Sequence, residues 1–122
     1  MLNLNNPQLD HLLGKTVEII IDRPIGYVHQ SNGFTLEYPV NYGYIPDVLG
    51  GDGEEQDVYL LGVNTPVDKY RGVVIAIIRR DNDNEDKLVA VPSGISLTES
   101  EIMDAVNFQE RYFDSHIILY IE

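Results

Sequence analysis

The chain has 122 residues, 43% hydrophobic and 23% charged, the proportions of one soluble globular domain (residues 1–122) with enough surface to bury a single core. A net charge of −12, from 8 basic and 20 acidic residues, argues against nucleic acid and anionic membranes as partners, since both demand clustered cations. The absence of cysteine removes disulfides, thiolate metal sites and a thiol nucleophile, and agrees with a cytoplasmic setting. The segment MLNLNNPQLD lacks the pattern of a leader, and the longest apolar stretch, near residues 72–78, is too short to span a membrane.

Residues 15–22 (KTVEIIID) are rich in β-branched side chains and end at Arg23-Pro24, which predicts a strand. Residues 25–30 and 34–40 are short extended runs around Ser31-Asn32-Gly33, a hairpin turn sequence. After Asn41-Tyr42-Gly43-Tyr44-Ile45-Pro46 comes the glycine-rich acidic loop Gly50-Gly51-Asp52-Gly53, then a buried strand over 57–63. Residues 64–72 read as a loop, 73–80 as a strand, 81–86 as an acidic turn and 87–91 as its antiparallel return. Thr98 and Glu101 form a capping box that opens a helix reaching to about Phe113, with Ile102, Val106 and Phe113 along its apolar stripe and Tyr112 at the stripe's edge. A strand over 116–121 follows. Short strands, turn signals and one late helix predict a mainly β protein with a C-terminal helix (α+β), a small antiparallel barrel or sandwich with the helix on one side.

The acidity is local. Asp47, Asp52, Glu54, Glu55 and Asp57 fall in one short segment and Asp81, Asp83, Glu85 and Asp86 in another. Like charges packed so densely destabilise a compact state unless a cation sits among them, and carboxylates from two loops suit Mg²⁺ or Mn²⁺, which keep waters and take further oxygens from a substrate. Solvated hairpin turns are the plainer explanation of such runs. An EF-hand is excluded: starting at Asp81, Asp86 occupies the glycine position and Pro92 that of the bidentate glutamate. No Walker loop, dinucleotide fingerprint or Ser-His-Asp order is present. By themselves Lys87 reads as a local ion pair, His29 as an ordinary strand histidine, and Tyr42, Tyr44 and Phe108 as packing residues.

The segments Tyr38-Pro39-Val40-Asn41-Tyr42-Gly43-Tyr44-Ile45 and Gly51-Asp52-Gly53-Glu54-Glu55-Gln56-Asp57-Val58 resemble the signature of soluble inorganic pyrophosphatases. The resemblance continues through Lys87-Leu88-Val89-Ala90-Val91-Pro92 and the stretch from Phe108 to Tyr112. It implies an OB-like closed β-barrel and Mg²⁺-dependent hydrolysis of inorganic diphosphate to two phosphates. Position by position it implies Asp52, Asp57 and Asp81 as metal ligands, with Glu54 where the family has an aspartate orienting the attacking water. Tyr42, Lys87 and Tyr112 match phosphate contacts and Tyr38 a polar site residue. A fourth metal carboxylate is Glu85 or Asp86; strand alternation puts Glu85 on the side of Lys87 and favours it.

Gly26, Val28, Gln30 and Phe113 stand where the family carries charged residues, three of them phosphate-binding cations. Arg23, His29, Arg71, Arg79 and Arg80 are the candidates to replace them. Two other readings accompany the enzyme: a metal- and phosphate-binding protein of the same fold without fast turnover, and a hydrolase of another phosphate anhydride or ester. Association into a homo-oligomer is left open.

Overall fold

A computed structural model describes residues 7–50, 53–83 and 85–120. Along the chain run α1 (Pro7–Asp10), β1 (Thr16–Arg23), β2 (Val28–Ser31), β3 (Phe34–Glu37), β4 (Asn41–Leu49), β5 (Glu55–Leu60), β6 (Lys69–Arg80), β7 (Lys87–Val91), α2 (Glu99–Glu110) and β8 (Ser115–Leu119). Strands pair in the order β1-β4-β5-β7-β6, and β6 pairs back onto β1, closing a barrel. The 12-residue β6 serves two partners on one edge: Lys69 to Val73 pair with β1, and Ala76 to Arg80 with β8. Its other edge pairs with β7. β2 and β3 form a separate hairpin, with Asn32 and Gly33 both at positive φ in its turn.

Alternation along the strands sorts side chains into two cores. Val58, Leu60, Leu88 and Ala90 fill the barrel with Ile19, Ile21, Ile45 and Ile77, and Leu9 of α1 joins them. Their neighbours Tyr59, Leu61, Val89 and Val91 face outward and are covered by Ile102 and Val106 of α2. Thr98 and Glu101 cap the helix reciprocally, as their spacing predicts.

The predicted mainly β barrel with one flanking helix is present, with local differences. β5 and β7 run parallel, through the register Val58↔Leu88, rather than every neighbour being antiparallel. The segment over 64–72 is a loop only as far as Asp68; Lys69 to Gly72 extend β6 because β1 offers them an edge. The helix ends at Glu110, so the third buried residue of its stripe is Glu110 rather than Phe113. The stretch over 41–49 is a strand despite its glycine and proline. A Cβ on Gly43 would lie 1.8 Å from the Ile20 carbonyl oxygen, so only glycine lets β4 lie against β1 there. Pro46 falls inside the register shift between Ile45 and Leu49, where no ladder bond is required of it.

Candidate active site

The outward face sets the site. On β5, Asp57 shares the side of Tyr59; on β7, Lys87 shares the side of Val89; on β6 the register shift between Val74 and Ala76 leaves Ala76, Ile78 and Arg80 on that side. The parallel register of β5 with β7 brings Lys87 to Asp57, and Tyr42 of β4 pairs with Tyr59. One end of the outer face therefore gathers carboxylate, ammonium, guanidinium and phenol. A cavity of 380 Å³ opens there, lined by Tyr38, Tyr42 and Lys87, by Arg23, His29 and Arg80, and at its rim by Phe34, Tyr112 and Phe113.

The Lys87 ammonium donates to Asp57 Oδ2 at 2.6 Å and to Glu85 Oε1 at 3.3 Å, and lies 5.9 Å from the centre of the Tyr42 ring. Lys87 is buried, whereas each carboxylate is 31% exposed, so the two acids face solvent from either side of a sheltered cation. Burial alone would lower the ammonium's pKa, but the Tyr42 hydroxyl and the Asp57 carboxylate raise it overall, and the group stays charged. Burial raises Tyr42 more than Lys87 lowers it, so its hydroxyl remains a hydrogen-bond donor. Gln56 Nε2 donates to the Asp86 carbonyl at 2.6 Å and ties β5 to the entry of β7, fixing the approach of Glu85 and Lys87.

Beneath the cavity runs a polar relay. Arg23 Nη1 donates to Tyr38 Oη at 2.5 Å, Tyr38 Oη to Gln109 Oε1 at 2.7 Å, Gln109 Nε2 to Tyr59 Oη at 2.6 Å, and Tyr59 Oη to Glu110 Oε2 at 2.7 Å. Arg80 closes it, donating through Nη2 to Oε2 of Glu110 at 2.7 Å and through Nε to Oε1 at 3.1 Å, with the Phe113 ring 3.7 Å from its guanidinium carbon. Each phenol donates one proton and accepts one, so the chain is satisfied along its length.

The predicted residues fall into several places. Tyr38, Tyr42 and Lys87 line the cavity, and Asp57 and Glu85 join them through their contacts with Lys87, Tyr38 buried and Asp57 half-buried. Tyr112 stands at the rim, 52% exposed and edge-on to Phe34 at 5.6 Å. Glu54 is exposed in the turn before β5, and Asp52 lies outside the described residues. Asp81 is exposed at the end of β6 with its Oδ2 3.0 Å from His116 Nδ1, away from the Lys87 cluster's contacts. Asp86 turns to the opposite face, where its carboxylate lies 3.9 Å from Arg79 Nε, while Glu85 shares the Lys87 side as alternation requires.

Of the candidate replacement cations, Arg23, His29 and Arg80 line the cavity. Arg79 instead reaches Asp10 of α1 at 2.8 Å, and Arg71 pairs with Glu18 in solvent. Sequence reading missed Gln109 and Glu110, although a glutamine and a carboxylate at the end of a buried helical stripe signal a polar partner beneath. It also missed Asp22, whose carboxyl partial burial raises; a backbone hydrogen bond and Arg23 oppose the rise and the charge of Asp57 adds to it. Among the described residues no three His, Asp or Glu side chains gather into a ready-made metal cluster.

A family model described as inorganic pyrophosphatase matches residues 16–118. The inorganic pyrophosphatase of Rickettsia prowazekii is 35% identical over 96 residues, spanning 66% of this chain and 56% of that protein. That of Xylella fastidiosa is 33% identical over 106 residues, spanning 78% and 60%. The chain thus covers a little over half the length of these curated relatives. Among solved structures, the inorganic pyrophosphatase of Ehrlichia chaffeensis superposes with a TM-score of 0.65 over 88% of this chain and 87% of that one at 19% identity, a likeness of fold.

Proposed function

The chain belongs to the inorganic pyrophosphatase family, and from that premise we propose that it hydrolyses inorganic diphosphate to two phosphates with the help of Mg²⁺. The observation that carries this reading is the convergence of Asp57 and Glu85 on buried Lys87 at a cavity that also holds Tyr42. The donor set fits the ion: Mg²⁺ binds through one or two carboxylates, waters and substrate phosphates, and two hard carboxylates meet here with exposed oxygens. Asp57 and Glu85 would hold it, with Asp52 and Asp81 as further carboxylates on the family pattern; bound there, it would activate water and neutralise phosphoryl oxygens.

Asp57 Oδ1 has no hydrogen-bond partner among the described residues and is the acceptor for a proton of the attacking water, with Glu54 orienting that water on the family pattern. Lys87 pairs with the Asp57 carboxylate and offers positive charge to the phosphoryl oxygens. Tyr42 and Tyr112 donate to those oxygens from the wall and the rim. Because Gly26, Val28, Gln30 and Phe113 lack the family's charges, turnover is slow for the family. Phosphate release from inorganic diphosphate, followed with and without Mg²⁺, is expected only with the ion; release that ignores it, or none at all, would overturn the reading.

A second measurement separates the two neighbouring acids. Millimolar Mg²⁺ should raise the melting temperature above an ionic-strength control, since a ligand that binds only the native state stabilises it. Glu85→Ala should remove most of that rise. Asp86→Ala should keep it while lowering the baseline, because it takes a carboxylate from beside buried Arg79.

A further inference from the structure

Three cations that line the cavity differ in one respect. Lys87 is held by Asp57 and Glu85, and Arg80 by Glu110 with Asp83 3.5 Å away. Their charge is already balanced by the fold. Arg23 has no carboxylate within ion-pair distance among the described residues, although it is half-buried and its chain neighbour Asp22 feels its field. A half-buried guanidinium with no carboxylate in direct contact is open to an anion from outside.

Its surroundings hold it still without neutralising it. The guanidinium carbon lies 5.5 Å from the centre of the Tyr27 ring and 5.4 Å from that of Tyr38, while Nη1 donates to Tyr38 Oη. Of the five N–H donors a guanidinium offers, that is the one engaged among the described residues. Tyr38 in turn is fixed by Gln109, so the relay from α2 positions Arg23. The Tyr38 and Tyr42 rings are 5.5 Å apart, and Lys87 lies over Tyr42, so Arg23 and Lys87 flank one aromatic pair from its two ends. Arg23 lies at the end of β1, three residues before Gly26.

We propose that Arg23 is the second phosphoryl anchor of this site, binding the phosphoryl group remote from Asp57 and taking over part of the charge missing at Gly26, Gln30 and Phe113. The inference deepens the diphosphatase reading and rests on it for the identity of the anion. A planar fork suits two oxygens of one phosphoryl group, so lysine is an imperfect substitute.

The test is calorimetric binding of methylenediphosphonate, which cannot be hydrolysed, in the presence of Mg²⁺, together with steady-state release of phosphate from diphosphate. Arg23→Gln should weaken methylenediphosphonate binding about tenfold to a hundredfold, the scale of hydrogen bonds to a charged group, and Arg23→Lys should recover part of it. Arg71→Gln makes the same change in net charge far from the cavity and should stay within twofold of the wild type. Arg23→Gln binding within twofold of wild type, equal losses in Arg23→Gln and Arg71→Gln, or no binding by the wild type would each overturn the assignment. Arg23-dependent binding without turnover would instead retire the enzyme reading and leave Arg23 as the anchor. Melting curves of the variants separate lost contacts from lost fold.

Discussion

Asp57→Asn is expected to lower diphosphate hydrolysis on the order of 10²–10⁴-fold, the contribution of a positioned proton acceptor. The substitution keeps the size of the side chain and removes the charge that proton transfer and Mg²⁺ both require. Lys87 still has Glu85 at 3.3 Å, and Asp57 is partly open to solvent, so the fold should survive with a modest fall in melting temperature. If Asp57 acts in the transition state, kcat and kcat/KM fall together; a change confined to KM would assign it to ground-state binding alone. Equal phosphate release by the wild type and Asp57→Asn, with Mg²⁺ and phosphate still bound by the wild type, would replace the enzyme with a binding protein of the same fold.

What the sequence discloses about this site depends on how far each signal reaches along the chain. The β-branched run before Pro24 and the Thr98–Glu101 box are local and describe β1 and the start of α2 closely. β4 is hidden for the opposite reason: Gly43 and Pro46 argue against a strand until the Ile20 carbonyl is seen to press on Gly43 and a register shift to absorb Pro46. Lys87 beside acids reads as an exposed turn pair, yet it is buried because β7 runs parallel to β5, and no local pattern encodes a parallel pairing across 30 positions. Arg79 and Arg80 are indistinguishable in sequence; the irregularity at Val74 and Ala76 decides which one reaches α2 and the cavity. Family resemblance pointed to Tyr42, Asp57 and Lys87, and strand alternation to Glu85 over Asp86, while the relay through Gln109 and Glu110 follows from where α2 docks.

Glu110→Ala is expected to cost about 3–5 kcal/mol, the range for removing one partner of a buried ion pair, and to lower the melting temperature by about 10–20 °C. Its side chain is 1% exposed and that of Arg80 is 4%, so no solvent would screen the stranded guanidinium. Asp83, 3.5 Å from Arg80 and partly exposed, offsets a fraction of the loss, and Tyr59 and Ser115 lose their acceptor with the carboxylate. Burial raises the Glu110 carboxyl, but hydrogen bonds from Arg80, Tyr59 and Ser115 outweigh it and hold the group below its ordinary value of 4.5. A depressed native pKa stabilises the fold above the unfolded value, and that stability drains as pH falls below 4.5. The wild type should therefore lose melting temperature in acid more steeply than Glu110→Gln, which has no charge to lose. An Arg80→Met/Glu110→Leu pair should melt above Glu110→Ala, since replacing both charges leaves neither unpaired. A Glu110→Gln protein that melts within about 2 °C of the wild type at neutral pH, with an unchanged acid limb, would show that apolar packing by Ile102 and Val106 alone seats α2 beneath the cavity.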